Sequence, residues 1–75
     1  MDINKKFAKT ILVLRRNNDI KLTQKEIADE ADISLRHYQY LELWEKKPML
    51  ETVDKIARAF GMKLSEFCKY MEEMD

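Results

Sequence analysis

The residues able to do chemistry in this chain are few, and their types and spacing argue for recognition rather than catalysis. His37 is the single histidine and Cys68 the single cysteine of 75 residues. A metal site needs several His, Cys or carboxylate ligands at matched spacing, and a catalytic base needs a nucleophile beside it; no such residues flank His37. Nucleophile-base pairs, paired acids and a glycine-rich phosphate loop are all missing from the sequence, so no enzyme, cofactor, metal or small-molecule ligand is expected. Cys68 cannot close an internal disulfide and reads as a small core hydrophobe. What remains is a short run of polar and aromatic side chains, Leu35-Arg36-His37 with Gln39 and Tyr40, introduced by Ser34. Its donors suit either contact with a partner or plain solvation of a helix face.

Those side chains need elements to hold them. Thr23-Gln24-Lys25-Glu26 is a capping box, in which the Thr hydroxyl accepts from the third amide and the Glu carboxylate returns to the cap amide, so a helix starts there. Ile27, Ala28 and Ala31 give it an inward face. Asp32-Ile33-Ser34 then supplies a turn and a new N-cap, after which Tyr38 and Leu41 share one face of a second helix. Helices over about 24–31 and 35–43 form a helix-turn-helix outline. Before them, Phe7, Ile11 and Leu14 mark a helix over about 4–18, ended by Asn17-Asn18-Asp19-Ile20-Lys21. After them, Leu50, Val53, Ile56, Ala57 and Phe60 make an apolar stripe that Gly61 ends as a left-handed cap. A last helix, about 64–74, turns Leu64, Phe67, Cys68 and Met71 inward. One glycine, one proline and no alternating strand pattern leave an all-α reading with a single domain over residues 1–75.

Fourteen bases balance fourteen acids, and the sequence pI is near 6.6. Neutrality removes the simplest argument for a nucleic-acid partner. The balance is local, however: residues 1–25 hold seven bases and two acids, and residues 26–75 hold seven bases and twelve acids, so +5 is set against −5. No apolar run approaches a membrane span and the N-terminus lacks the pattern of a signal peptide, so a cytoplasmic protein without a membrane partner is expected.

From about Ile11 to Phe67 the sequence resembles the phage repressor, Cro and Xre family of helix-turn-helix domains. The residues that carry the resemblance are Leu14-Arg15, Leu22-Thr23-Gln24-Lys25-Glu26-Ile27-Ala28, Asp32-Ile33-Ser34, Leu41-Glu42, Lys46-Lys47-Pro48 and Ile56-Ala57-Arg58-Ala59-Phe60-Gly61. The resemblance implies a compact five-helix, lambda-repressor-like fold. It also implies a prokaryotic or phage-encoded transcriptional regulator of repressor type that binds operator DNA as a homodimer. Base-facing positions would be Leu35, Arg36, His37, Gln39 and Tyr40. Arg36 is best suited among them, since its planar fork can bond guanine O6 and N7 together. Tyr40 either touches DNA or stacks on its neighbours. Phosphate-facing positions would be Thr23, Gln24, Lys25, Ser34, Lys46 and Lys47, which position the domain without specifying sequence. Arg15 and Glu42 would form the ion pair that relatives often place between helices 1 and 3.

Three features depart from the family pattern, one being a first turn about two residues longer than usual, which bears on how Arg15 aligns with the family positions. Asp32 stands where the turn glycine is expected, and Trp44 stands where a glycine usually follows the recognition helix. With Trp44 there, the helix either runs on or bends differently, and the ring packs on the core or on a partner. Candidate dimer contacts are Tyr70, Met71 and Met74 on the last helix, with Trp44 and Met49 as a second group. The rival reading is a protein-interaction module, antitoxin-like or adaptor-like, that keeps the fold without specific DNA binding; Leu35, Trp44, Glu45 and the overall neutrality are its supports.

Overall fold

A computed structural model of the chain describes residues 2–17, 22–44 and 47–74. Five helices and no strand occur among the described residues: α1 (Ile3–Asn17), α2 (Gln24–Glu30), α3 (Leu35–Glu42), α4 (Leu50–Ala59) and α5 (Leu64–Glu72). Each expected helix is present, with ends displaced by only one or two residues, which is the ordinary uncertainty of frayed helix termini. The turn expected around Asn18 to Lys21 lies outside the described residues.

The local signals act as their chemistry requires. Thr23 caps α2 by accepting from the Glu26 amide at 3.1 Å, and the Glu26 carboxylate accepts from the Thr23 amide at 3.0 Å. Ser34 caps α3 by accepting from the His37 amide at 3.0 Å. Each such cap is worth about 1 kcal/mol. Between the two caps, the Ile33 amide donates back to the Ala28 carbonyl and the Asp32 amide to that of Asp29. That pattern closes α2 as a Schellman motif, with Asp32 in the left-handed position at φ 57°. The motif turns the chain sharply enough for α3 to pack back on α2.

The apolar faces meet in one core. Phe7 and Ile11 from α1, Ile27 and Ala28 from α2, Tyr38 and Leu41 from α3, Ile56 and Ala57 from α4, and Phe67 from α5 are all buried. The Phe7 and Phe67 rings stand 5.8 Å apart and tilted, closing α1 on α5. α2 packs on α3 and α4, and α1 packs on α3 and α5. Thr10, a buried polar residue, returns its hydroxyl to the Lys6 carbonyl at 2.6 Å.

One expectation fails. Leu50, assigned to the inward stripe of α4, is 70% exposed. It is the first residue of the helix, and the core is reached only a turn later, by the partly buried Val53 and then by the buried Ile56 and Ala57.

Candidate nucleic-acid interface

The expected base-facing residues occupy the outer side of α3, because Tyr38 and Leu41 anchor its other side in the core. Arg36 and Gln39 are exposed and Leu35 is 39% exposed, whereas His37 and Tyr40 are half-buried. Of the residues expected to face phosphates, Thr23, Lys25, Ser34 and Lys47 are exposed and Gln24 is half-buried. Lys25 Nζ pairs with Asp29 one turn along α2 at 3.0 Å. Lys46 lies outside the described residues.

Beneath this face a polar chain fixes α2, α3 and α1 relative to one another. Arg15 Nε donates to Glu42 Oε2 at 2.8 Å and its Nη2 donates to Oε1 at 3.1 Å. Gln24 Nε2 donates to the same Oε1 at 2.8 Å, and Gln39 Nε2 donates to Gln24 Oε1 at 3.2 Å. The ion pair expected between helices 1 and 3 is therefore present. The two glutamines extend it to the surface, so Gln24 is oriented by its carboxylate partner and in turn orients Gln39.

The charges respond as this geometry demands. Burial alone would raise the Glu42 carboxyl, but Arg15, then the nearby Tyr38 hydroxyl and the Gln24 amide, outweigh it and hold its pKa below the usual range. The hydrogen bond to Glu42 raises the Arg15 guanidinium against a smaller opposing effect of burial. Tyr38 also reaches this pair. Its hydroxyl is buried without a hydrogen-bond partner, and burial, followed by the Glu42 carboxylate, pushes its pKa up. Tyr38 was legible as a core position from its spacing with Leu41. The involvement of its hydroxyl and the link from Gln24 to Gln39 depend on how separate helices meet, which no local pattern states.

Trp44 resolves the question posed by its departure from glycine. α3 stops at Glu42 with Leu43 as its cap, and Trp44 takes φ 67°. Asp32, Trp44 and Gly61 thus fill the same left-handed position after α2, α3 and α4, and only the last is a glycine. Trp44 remains 54% exposed, with Lys5 Nζ 5.2 Å from its ring centroid. Together with Leu12 and Leu43 it lines an open cleft of ≈ 530 Å³ between α1 and the end of α3. The ring therefore packs against α1 rather than in the core. Among the other candidate dimer contacts, Met49 is 74% exposed, while Tyr70, Met71 and Met74 are half-buried, with Met71 packed against the core.

Among the described residues no cluster of His, Cys, Asp or Glu can hold a metal ion, and no helix is long and apolar enough to cross a membrane.

Comparison with known proteins agrees with the geometry. A family model described as helix-turn-helix matches residues 14–67, which includes α2, α3, α4 and the Arg15–Glu42 pair. Over 49 residues the chain is 41% identical to the cryptic phage CTXphi transcriptional repressor RstR of Vibrio cholerae serotype O1. That match takes in 65% of this chain and 44% of the relative, so the chain spans less than half of the relative's length.

Proposed function

This chain belongs to the helix-turn-helix family, and from that premise we propose that it is a sequence-specific DNA-binding regulator of transcription. In this reading it is a repressor that acts in the cytoplasm of a prokaryotic or phage-infected cell. α3 enters the major groove of an operator and Arg36 reads a guanine edge. Gln24 and Lys47 bond phosphates on either side, and Lys25 and Thr23 add to the positioning contacts. The protein acts as a homodimer, because one domain of this size makes too few contacts for useful operator affinity.

The observation that carries this reading is the chain of bonds Arg15–Glu42–Gln24–Gln39. It ties the reading helix to the start of the preceding helix by polar groups whose outermost member is exposed. A chain that merely solvated a helix face would gain little from such internal fixing. Preorganised donors, by contrast, lower the ordering cost of binding.

The test is a titration of the wild-type protein, Arg36→Ala and Lys47→Ala against a library of genomic fragments at several salt concentrations. Loss of the Arg36 fork is expected to relax preference at one base pair by about 1–3 kcal/mol. Loss of Lys47 is expected to weaken all fragments alike and to reduce the salt slope by about 0.9. If the wild-type protein selects no fragment even at low salt, the reading is wrong.

A further inference from the structure

We infer that Gln39 reads an adenine, and that the Glu42 carboxylate, acting through Gln24, sets which edge of the Gln39 amide faces the DNA. The inference rests on the proposed DNA-binding function and deepens it by naming a base and the residues that select it.

A glutamine amide accepts at its oxygen and donates at its nitrogen, and its partners decide which of the two points where. The Glu42 carboxylate can only accept. Its Oε1 takes hydrogen bonds from Arg15 Nη2 at 3.1 Å and from Gln24 Nε2 at 2.8 Å. An inverted Gln24 would set its own oxygen against that carboxylate, acceptor on acceptor, so the nitrogen must face inward and the oxygen is left for α3. Gln39 meets this oxygen with its Nε2 at 3.2 Å. One N–H of Gln39 is thereby used, and its second N–H and its Oε1 are left on the exposed face. A negative charge between α1 and α3 is thus passed through two amides as a fixed polarity at the surface.

One outward acceptor beside one outward donor is the pattern that adenine complements in the major groove, its N6 amino group donating to Oε1 and its N7 accepting from Nε2. Guanine presents two acceptors there, so its O6 would stand against Oε1. Cytosine satisfies only the oxygen, and thymine only the nitrogen. A phosphate also offers acceptors alone and would leave Oε1 facing negative charge. Gln39 follows Arg36 by three residues, and both are exposed on α3, so the two side chains are neighbours on its surface. The adenine is therefore expected beside the guanine under Arg36. Gln24 keeps its second N–H for a phosphate, so its positioning contact and its place in the relay are compatible.

Fragments that the wild-type protein selects from the genomic library are remade with each adenine replaced in turn by purine, which lacks the N6 amino group, by 7-deazaadenine, which lacks N7, or by guanine. At one adenine per half-site each replacement is expected to weaken wild-type binding about tenfold. Gln39→Ala, at an exposed position, is expected to bind all these forms alike. Glu42→Gln tests the relay: Arg15 claims the one carbonyl oxygen of the new amide, Gln24 is free to turn over, and Gln39 can then present two donors. The adenine-over-guanine ratio at that position is expected to fall about tenfold, while preference under Arg36 is kept. Gln24→Ala cuts the relay without touching the ion pair and is expected to lower the same ratio. A purely structural role for Glu42 and Gln24 would weaken both bases equally. Adenine replacements without effect, or with an effect that persists in Gln39→Ala, overturn the reading by Gln39 while leaving DNA recognition standing. A ratio unchanged in Gln24→Ala or in folded Glu42→Gln overturns the relay. A wild-type protein that selects no fragment overturns the proposed function, and this inference with it.

Discussion

Arg15 and Glu42, 27 residues apart in the chain, meet through two hydrogen bonds of 2.8 and 3.1 Å with side chains only 18% and 6% exposed. A pair this far from water is costly to break on one side, because the surviving partner keeps its desolvation cost without its Coulombic return. Glu42→Gln leaves the guanidinium facing a neutral amide whose single carbonyl oxygen cannot hold both Arg15 and Gln24 as the two carboxylate oxygens do. We expect a loss of about 2 kcal/mol in urea denaturation, below the range for fully buried pairs because Arg15 keeps some water. The same variant should bind DNA more weakly than its residual folding explains, since Gln24 and Gln39 are held by a weaker, neutral anchor.

The pair also sets an acid limb of stability. The folded-state pKa of Glu42 lies below its ordinary value, so the folded protein resists taking up a proton that the unfolded chain accepts. The resulting stabilisation is fully present above the ordinary carboxyl range near pH 4.5 and is lost as pH falls through the depressed folded value. Denaturation measured at stepwise lower pH should show the wild-type protein losing stability through this window. Glu42→Gln should show a shallower slope there, and equal slopes would mean that the carboxylate is not held as the structure indicates.

How much of this site could be read from the chain depends on the range of the interaction. The caps at Thr23 and Ser34 are contained within four residues and were legible in full. So were the inward faces of α2 and α3, because Ile27, Ala28, Tyr38 and Leu41 follow the helical period. The Arg15–Glu42 pair was reachable only through the family pattern, since nothing near either residue names the other. The bond from Gln39 to Gln24 was not reachable, because it requires the angle between two helices that a left-handed turn at Asp32 creates. Leu50 misled for a related reason: periodicity gives a direction around a helix and says nothing of where along it the core ends.

The Tyr38 hydroxyl is the buried side-chain polar group without a hydrogen-bond partner among the described residues. Its ring fills the core, and the oxygen has given up water for the proximity of Glu42 and Arg15 without a well-formed hydrogen bond to either, where a wholly unpaired group would cost about 1–3 kcal/mol. Tyr38→Phe retains the ring and removes the orphan oxygen. We expect it to be stabilising by about 1 kcal/mol in thermal or urea unfolding, less than the full penalty because the hydroxyl interacts with Glu42. A destabilised variant would show that the hydroxyl is a working part of the ion-pair network.

The left-handed residues at the ends of α2 and α3 offer a last, paired prediction. Asp32 at φ 57° and Trp44 at φ 67° both carry side chains where Gly61, at φ 76°, carries none, and a side chain in that region costs about 1–2 kcal/mol. Asp32 is exposed, and its short polar side chain is tolerated there better than most, so Asp32→Gly should gain about 1 kcal/mol, the low end of that cost. It also removes a negative charge between α2 and α3 and should tighten DNA binding at low salt. Trp44→Gly relieves similar backbone strain but gives up the Lys5 contact, worth about 0.5–1 kcal/mol at an exposed site. It also loses the packing of a half-covered ring beside Leu12 and Leu43. These effects oppose, so its stability should stay within about 1 kcal/mol of wild type. Lys5→Ala separates them: it should destabilise the wild-type protein slightly and leave Trp44→Gly unchanged. A double-mutant cycle in urea with zero coupling between Lys5 and Trp44 would remove the cation-ring contact from the account and leave the tryptophan strain uncompensated.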